Sequence, residues 1–257
     1  MKYRIAIPSY KRHNILKEKT LRYLNECGIP SNIIDVFVAN KEEYEVYTEN
    51  IPSNLYNKII IGKETLHEQR NYIREYYPKN TLLFNLDDDI EQLETANECQ
   101  LDKISDNLNK IIEFGFHLLK KEKTKLLGIY GARNYFFMSN DYSRGLYYCI
   151  GSCFWTINDK DHKLDVKLED KEDYERTIKS YLKYGHIIRL NNITAKTGYY
   201  TTQGGMQETR TPERIKKSGK YLIQRYPNLC EENTARKEHF EIKFKKQKNN
   251  KKVKFGR

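Results

Sequence analysis

Short β-branched runs recur along the first half of the chain, each followed by a helix-length amphipathic stretch, and this rhythm restricts the fold more than any other feature. "YRIAIPSY" (Tyr3–Tyr10) is an apolar run stopped at Pro8, and "NILKEKTLRYLNECG" then places Leu16, Tyr23, Leu24 and Cys27 on one helical face before Gly28. "IIDVFVAN" is the next strand, and Asn40 with Glu43 three residues later has capping-box spacing. "KIIIG" predicts a third, buried strand; Thr65 with Glu68 repeats the cap ahead of "LHEQRNYIREYY", and "TLLFNL" is the fourth strand. The second half keeps the rhythm less regularly, with a helix over Asp102–Lys120, strands at "KLLGIYGA" and "YYCIGSCFWTI", a helix across "EDYERTIKSYLKYG" and a strand at "HIIRL". Such alternation predicts an α/β fold: a mostly parallel sheet flanked by helices on both faces.

A chain of 257 residues can bury a large core, and its 38% hydrophobic and 12% aromatic content is that of a soluble globular protein. No apolar run approaches the roughly 18 residues that span a bilayer. The opening "KYRIAIPSY" is charged and strand-like rather than a signal peptide, so a cytoplasmic location without membrane contact is expected. Five cysteines at scattered spacings fit reduced thiols. Cys149 and Cys153 lack the second pair or nearby histidine that a zinc site needs, and are expected as small core residues.

Charge is unevenly spread. Residues 236–257 hold ten Lys/Arg and two Glu, supplying +8 of the net +11. A basic tail of this density suits a polyanion partner, and equally a solvated end with no partner. The expected organisation is a main domain over 1–210, a helical extension over 211–235 and a flexible, basic nucleic-acid-binding tail over 236–257.

Asp87, Asp88 and Asp89 stand directly after the fourth strand, where open parallel sheets collect ligands. If strand geometry continues through them, Asp87 and Asp89 face one way and Asp88 the other. Two converging carboxylates repel unless a cation lies between them, and hard oxygen donors suit Mg²⁺ or Mn²⁺. The competing reading makes "IEQLETA" a helix and the triplet its acidic start.

"IAIPSYKR", "LHEQRNYI" and "LLFNLDDDI", in this order, resemble the nucleotide-sugar glycosyltransferases of GT-A (Rossmann-like) fold, over roughly Lys2 to Gln207. More narrowly, the chain resembles the group containing the base J DNA glucosyltransferase and the TET-associated glycosyltransferases, some of them phage enzymes. The resemblance implies an inverting, metal-dependent transfer of a hexose or pentose from a UDP-sugar, UDP-glucose by default, to hydroxymethylcytosine or hydroxymethyluracil in DNA. It implies Asp87 and Asp89 as ligands of Mn²⁺ or Mg²⁺, and Pro8, Ser9, Tyr10, Arg12, Arg70 and Asp88 as the donor site, with Asn71 beside Arg70. For the base that takes the acceptor's proton it implies the acidic start of "EDYERTIKSYLKYG": Asp173 first, Asp170 next, with Glu172 and Glu169 as neighbours. A glycan or protein acceptor, or a nucleic-acid-binding module without catalysis, are the alternatives.

Several residues stay open. His162, His186 and His239 have no spacing that marks a third metal ligand. "TTQGGMQETR" (Thr201–Arg210) suits a glycine-containing lid or an exposed loop. Trp155, the only tryptophan, suits either a sugar platform or the core.

Overall fold

A computed structural model describes residues 1–97, 99–198, 210–235 and 240–255. Its centre is a nine-stranded sheet, in spatial order β14-β8-β10-β7-β9-β4-β1-β2-β3. The strands are β1 (Arg4–Pro8), β2 (Ile34–Val38), β3 (Lys58–Ile61), β4 (Leu82–Leu86), β7 (Leu126–Ile129), β8 (Asp141–Gly145), β9 (Cys153–Ile157), β10 (Ile187–Leu190) and β14 (Lys251–Lys254). β3, β2, β1 and β4 are mutually parallel, β7 pairs parallel with β10, and β8 and β9 alone run against the rest. The mostly parallel α/β sheet expected from the sequence is therefore present. A small sheet of β5 (Ile90–Ala96), β6 (Leu101–Lys103) and β11 (Ile193–Thr197) and a hairpin of β12 (Cys230–Glu232) with β13 (Ile242–Phe244) complete the strands.

The helices are α1 (His13–Leu16) and α2 (Arg22–Glu26), joined through one π-helical turn at Lys17–Leu21, then α3 (Lys41–Asn50), α4 (Leu66–Tyr76), α5 (Leu108–Lys121), α6 (Glu172–Tyr184) and α7 (Pro212–Arg225). Asn40 caps α3 by accepting from Glu43 N at 3.0 Å, as its spacing predicts. Thr65 precedes α4 but gives its hydroxyl to Glu68 Oε2 at 2.7 Å, so the second capping signal marks the helix start without making the cap. Thr211 caps α7 on Arg214 N, with Pro212 in the first turn, where its missing N–H costs nothing.

The competing reading of "IEQLETA" as a helix fails, because it pairs with β11 and β6 as strand β5. Three sequence expectations shift. The helix expected from Asp102 starts at Leu108, since Leu101–Lys103 is taken up as β6. β3 is a half-exposed edge strand, not a buried one. Residues 240–255 of the basic tail form β13 and β14, and β14 pairs with β8 at the edge of the main sheet, so that stretch is built into the fold rather than flexible.

The core follows the apolar runs. β2 and β4 are buried throughout, and the one charge in β2, Asp35, accepts from Arg4 Nε at 3.0 Å, Asn57 Nδ2 at 2.7 Å and Tyr77 OH at 2.6 Å, which makes its burial tolerable. Trp155 is a core residue: its indole N–H donates to Ile112 O at 3.0 Å and its ring lies 4.5 Å from that of Phe84. Gly115 of α5 faces that ring, where a Cβ would approach to 2.6 Å. All five cysteines are free, four of them buried, and burial pushes the Cys149 thiol up to about 12.

Candidate active site

The carboxyl ends of β1, β4, β7 and β10 open onto one cleft of about 1250 Å³. Pro8, Ser9, Tyr10, Arg12, Arg70, Asp87, Asp88, Asp89, Asp170 and Asp173 all line it, although the sequence separates the first from the last by more than half its length. Asn71 does not line it. Its amide instead pins the loop before α6, donating to Val166 O at 2.8 Å and accepting from Val166 N at 2.9 Å.

β4 ends at Leu86, and the aspartates form the turn into β5. The turn is tied at three backbone points: Asp87 N donates to Ser152 O at 2.9 Å, the Thr20 hydroxyl donates to Asp87 O at 2.8 Å, and the same hydroxyl accepts from Ile90 N at 2.9 Å. Thr20 reaches this position from the π-helical turn. Strict strand alternation therefore does not set the directions of the side chains: Asp88 and Asp89 share Arg12, and Asp87 turns to Arg70, so the expected pairing of Asp87 with Asp89 against Asp88 is not what the turn shows. Asp87 Oδ1 accepts from Arg70 Nη2 at 2.6 Å, while Asp88 accepts from the Ser9 hydroxyl at 2.6 Å and lies 3.4 Å from Arg12 Nη1, which is 3.9 Å from Asp89. Asp88 thus faces the "PSY" loop, away from the Arg70 contact of Asp87.

What holds three like charges together in this structure is arginine and hydrogen bonding, and the compensation is incomplete. Burial, with repulsion from neighbouring acids, pushes each of the three carboxyls up to about 6 against the pull of Arg70 and Arg12. Among the described residues, no group of three or more His, Cys, Asp or Glu is placed to hold a metal. Under-compensated carboxylates in an open cleft nevertheless suit an ion of the Mg²⁺ or Mn²⁺ type, which typically takes one or two protein carboxylates and completes its shell with phosphate and water. The donor set is compatible with such an ion.

On the opposite wall, α6 begins at Glu172 after Lys171, whose φ of 62° puts a non-glycine residue in the left-handed region at the helix start. Lys171 is fastened there by Glu241 of the β12–β13 hairpin, 2.9 Å from its Nζ. Glu172 is buried against Arg176 at 2.7 Å and stands 3.8 Å from Arg70 Nε, so Arg70 bridges the aspartate turn and the start of α6. Asp173 presents its carboxylate to the cleft, with Oδ2 receiving the Tyr148 hydroxyl and Oδ1 receiving Tyr174 N at 2.9 Å. Asp170, by contrast, is 1% exposed and clamped by Arg214 Nε at 2.5 Å and Arg210 Nε at 3.2 Å. Two guanidiniums occupy its carboxylate, which leaves no open face for an acceptor hydroxyl and makes it a structural anchor.

His162 sits by Asp165 at 3.1 Å and His186 contacts Glu122 O at 2.9 Å, both away from the cleft, while His239 lies outside the described residues. Of the suggested lid Thr201–Arg210, only Arg210 is described. Tyr130, Tyr147, Tyr148 and Arg189 also line the cleft and had no sequence signal, because they reach it from loops and strand ends whose positions depend on distant pairing.

No protein-family model matches the chain, and neither does any curated protein. Solved structures do. The crystal structure of S. aureus TarS 1-349 in complex with UDP is similar at a TM-score of 0.54 and 16% identity, covering 89% of this chain and 66% of that one. S. aureus TarS in its longer form is similar at a TM-score of 0.51 and 16% identity, covering 87% and 40% respectively. The chain therefore spans less than two thirds of the proteins it resembles, and at this identity the likeness is one of fold.

Proposed function

We propose that the protein is an inverting glycosyltransferase that moves a sugar from a UDP-sugar to the hydroxymethyl group of a modified pyrimidine in DNA. The observation that carries the sugar-transfer reading is the convergence, in one cleft at strand carboxyl ends, of an arginine-braced aspartate turn with a separately oriented carboxylate on the facing wall. The UDP bound to a structure of similar fold supports the donor class.

In this reading, Arg12 and Arg70 bind and neutralise the nucleoside diphosphate, Ser9 and Asp88 take the hydroxyls of the donor's ribose or sugar, and Asp87 with Asp89 would hold Mn²⁺ or Mg²⁺. That ion supplies counter-charge for the departing diphosphate. Asp173 accepts the proton of the acceptor hydroxyl as its oxygen bonds to the anomeric carbon. The carbon–oxygen bond to the diphosphate breaks at the same time, and its electron pair leaves with the nucleoside diphosphate. The Tyr148 hydroxyl fixes the Asp173 carboxylate, so the base meets the acceptor in one orientation. Lys243 and Lys246, from the basic C-terminal stretch, line the same cleft and support an anionic acceptor.

The test is to incubate the protein, Mn²⁺ and a panel of nucleotide sugars with DNA containing hydroxymethylcytosine or hydroxymethyluracil, digest to nucleosides and weigh them. A mass gain of one sugar is expected. An unaltered nucleoside profile with every donor, beside donor hydrolysis that still needs Asp87, would move the acceptor to a glycan or protein.

A further inference from the structure

Among the described arginines that line the cleft, Arg12, Arg70, Arg210 and Arg214 each have a carboxylate partner. Arg189, near the carboxyl end of β10, is different. Its guanidinium lies over the ring of Tyr130 at 4.9 Å and that of Tyr147 at 5.1 Å, and its Nε donates to Asn191 Oδ1 at 2.9 Å. No carboxylate lies within ion-pairing distance of it among the described residues. Asp141, which acts on it from further off, is occupied by Asn191 Nδ2 at 2.6 Å and the Ser139 hydroxyl at 3.0 Å. Two ring faces and one amide offset part of the solvation this partly buried cation has given up, but no counter-ion does, and its planar fork is shaped for phosphate.

The position argues against the donor's phosphates. β10 is separated from the aspartate-bearing β4 by β7 and β9, three strand spacings or roughly 14 Å, while Tyr147, against which Arg189 lies, is followed by Tyr148, which donates to Asp173. The loop that carries Tyr130 continues to Tyr135, Phe136 and Phe137, and returns to the end of β10 through Ser139 N, which donates to Asn191 O at 3.1 Å. Phe136 and Phe137 are 76% and 70% exposed, and the Tyr135 and Phe136 rings stack at 4.2 Å. A cation without a counter-ion, on a wall whose loop also carries exposed aromatic rings, is the combination with which proteins hold nucleic acid whose bases are unstacked.

We propose that Arg189, held between Tyr130 and Tyr147, binds a backbone phosphate of a single-stranded or locally opened nucleic-acid acceptor, with Phe136 and Phe137 receiving an unstacked base; this rests on the sugar-transfer reading. The full chain is titrated with a short fluorescent single-stranded DNA and its duplex at several salt concentrations, and in parallel with UDP and Mn²⁺. Arg189→Met is expected to weaken single-strand binding about tenfold and flatten the salt slope by about 0.7, the value for one phosphate contact on a single strand. Arg189→Lys should keep most of that slope, and the paired change Phe136→Ser and Phe137→Ser should weaken the single strand more than the duplex. UDP affinity should be the same in all variants. An unchanged slope in Arg189→Met, or a loss of UDP binding there, overturns the assignment. If the wild type binds UDP but neither DNA, this inference fails while sugar transfer stands; if it binds no UDP, the sugar-transfer reading itself fails.

Discussion

The two halves of the main sheet are built differently. β3, β2, β1 and β4 come from the first 86 residues and are mutually parallel, with a helix returning the chain between each of these strands and the next. β9, β7, β10, β8 and β14 are gathered from residues 126–254 and mostly pair antiparallel, with chain neighbours often not sheet neighbours. The first half presents a braced cluster of carboxylates and arginines; the second presents tyrosines, one arginine without an acid, and Asp173. Local succession builds the wall that holds fixed charge, and long-range pairing builds the wall made of loops, the one the proposed transfer turns towards its acceptor.

The largest effect should come from the second wall. Asp173→Asn should lower kcat about 10³-fold, within the range for loss of a general base, and leave UDP affinity as it is. Isothermal titration with UDP beside a turnover assay reads both, and a kcat within threefold of wild type would remove Asp173 from the chemistry.

Asp170→Asn tests whether that wall depends on its ion pairs. It leaves Arg214 and Arg210 without their common partner, at a cost of about 3 kcal/mol, and should lower Tm by roughly 6–12 °C without changing the pH profile of kcat. A shifted pH profile with unchanged Tm would make Asp170 a participant in proton transfer.

The smallest effect belongs to the first wall and has a sign set by pH. Burial and then Asp88 raise the Asp89 carboxyl to about 6, so its charge is a cost to the folded state that is absent below about pH 4 and fully present above pH 6. Asp89→Asn should therefore raise the Tm of the metal-free protein at pH 7.5, by about 4 °C for roughly 2 kcal/mol, and leave it nearly unchanged at pH 4. An equal gain at both values would mean that the cost is steric and not one of charge.

The same division explains what the sequence could reveal. The apolar run before Asp87 and the capping spacing at Asn40 are local signals, and both mark what the structure contains. Asp88 turns to Ser9 rather than following strand alternation because the turn begins as soon as β4 ends, and no residue within the triplet encodes that. Asp170 and Asp173 look alike in "LEDKED"; they differ because Arg210 and Arg214 arrive some 40 residues later to occupy one of them. Arg189 and Tyr148 have no local mark at all, since their neighbours are set by the β7–β10–β8 pairing.

Thr20 has a last consequence. Its single hydroxyl clasps both ends of the aspartate turn from a helix 67 residues away, beside a third tie from Ser152. The turn cannot loosen without undocking that helix, so it has no private route to solvent. Amide deuterium uptake at Asp87 and Ile90 should keep the tempo of whole-molecule unfolding, where an ordinary surface turn would exchange within moments.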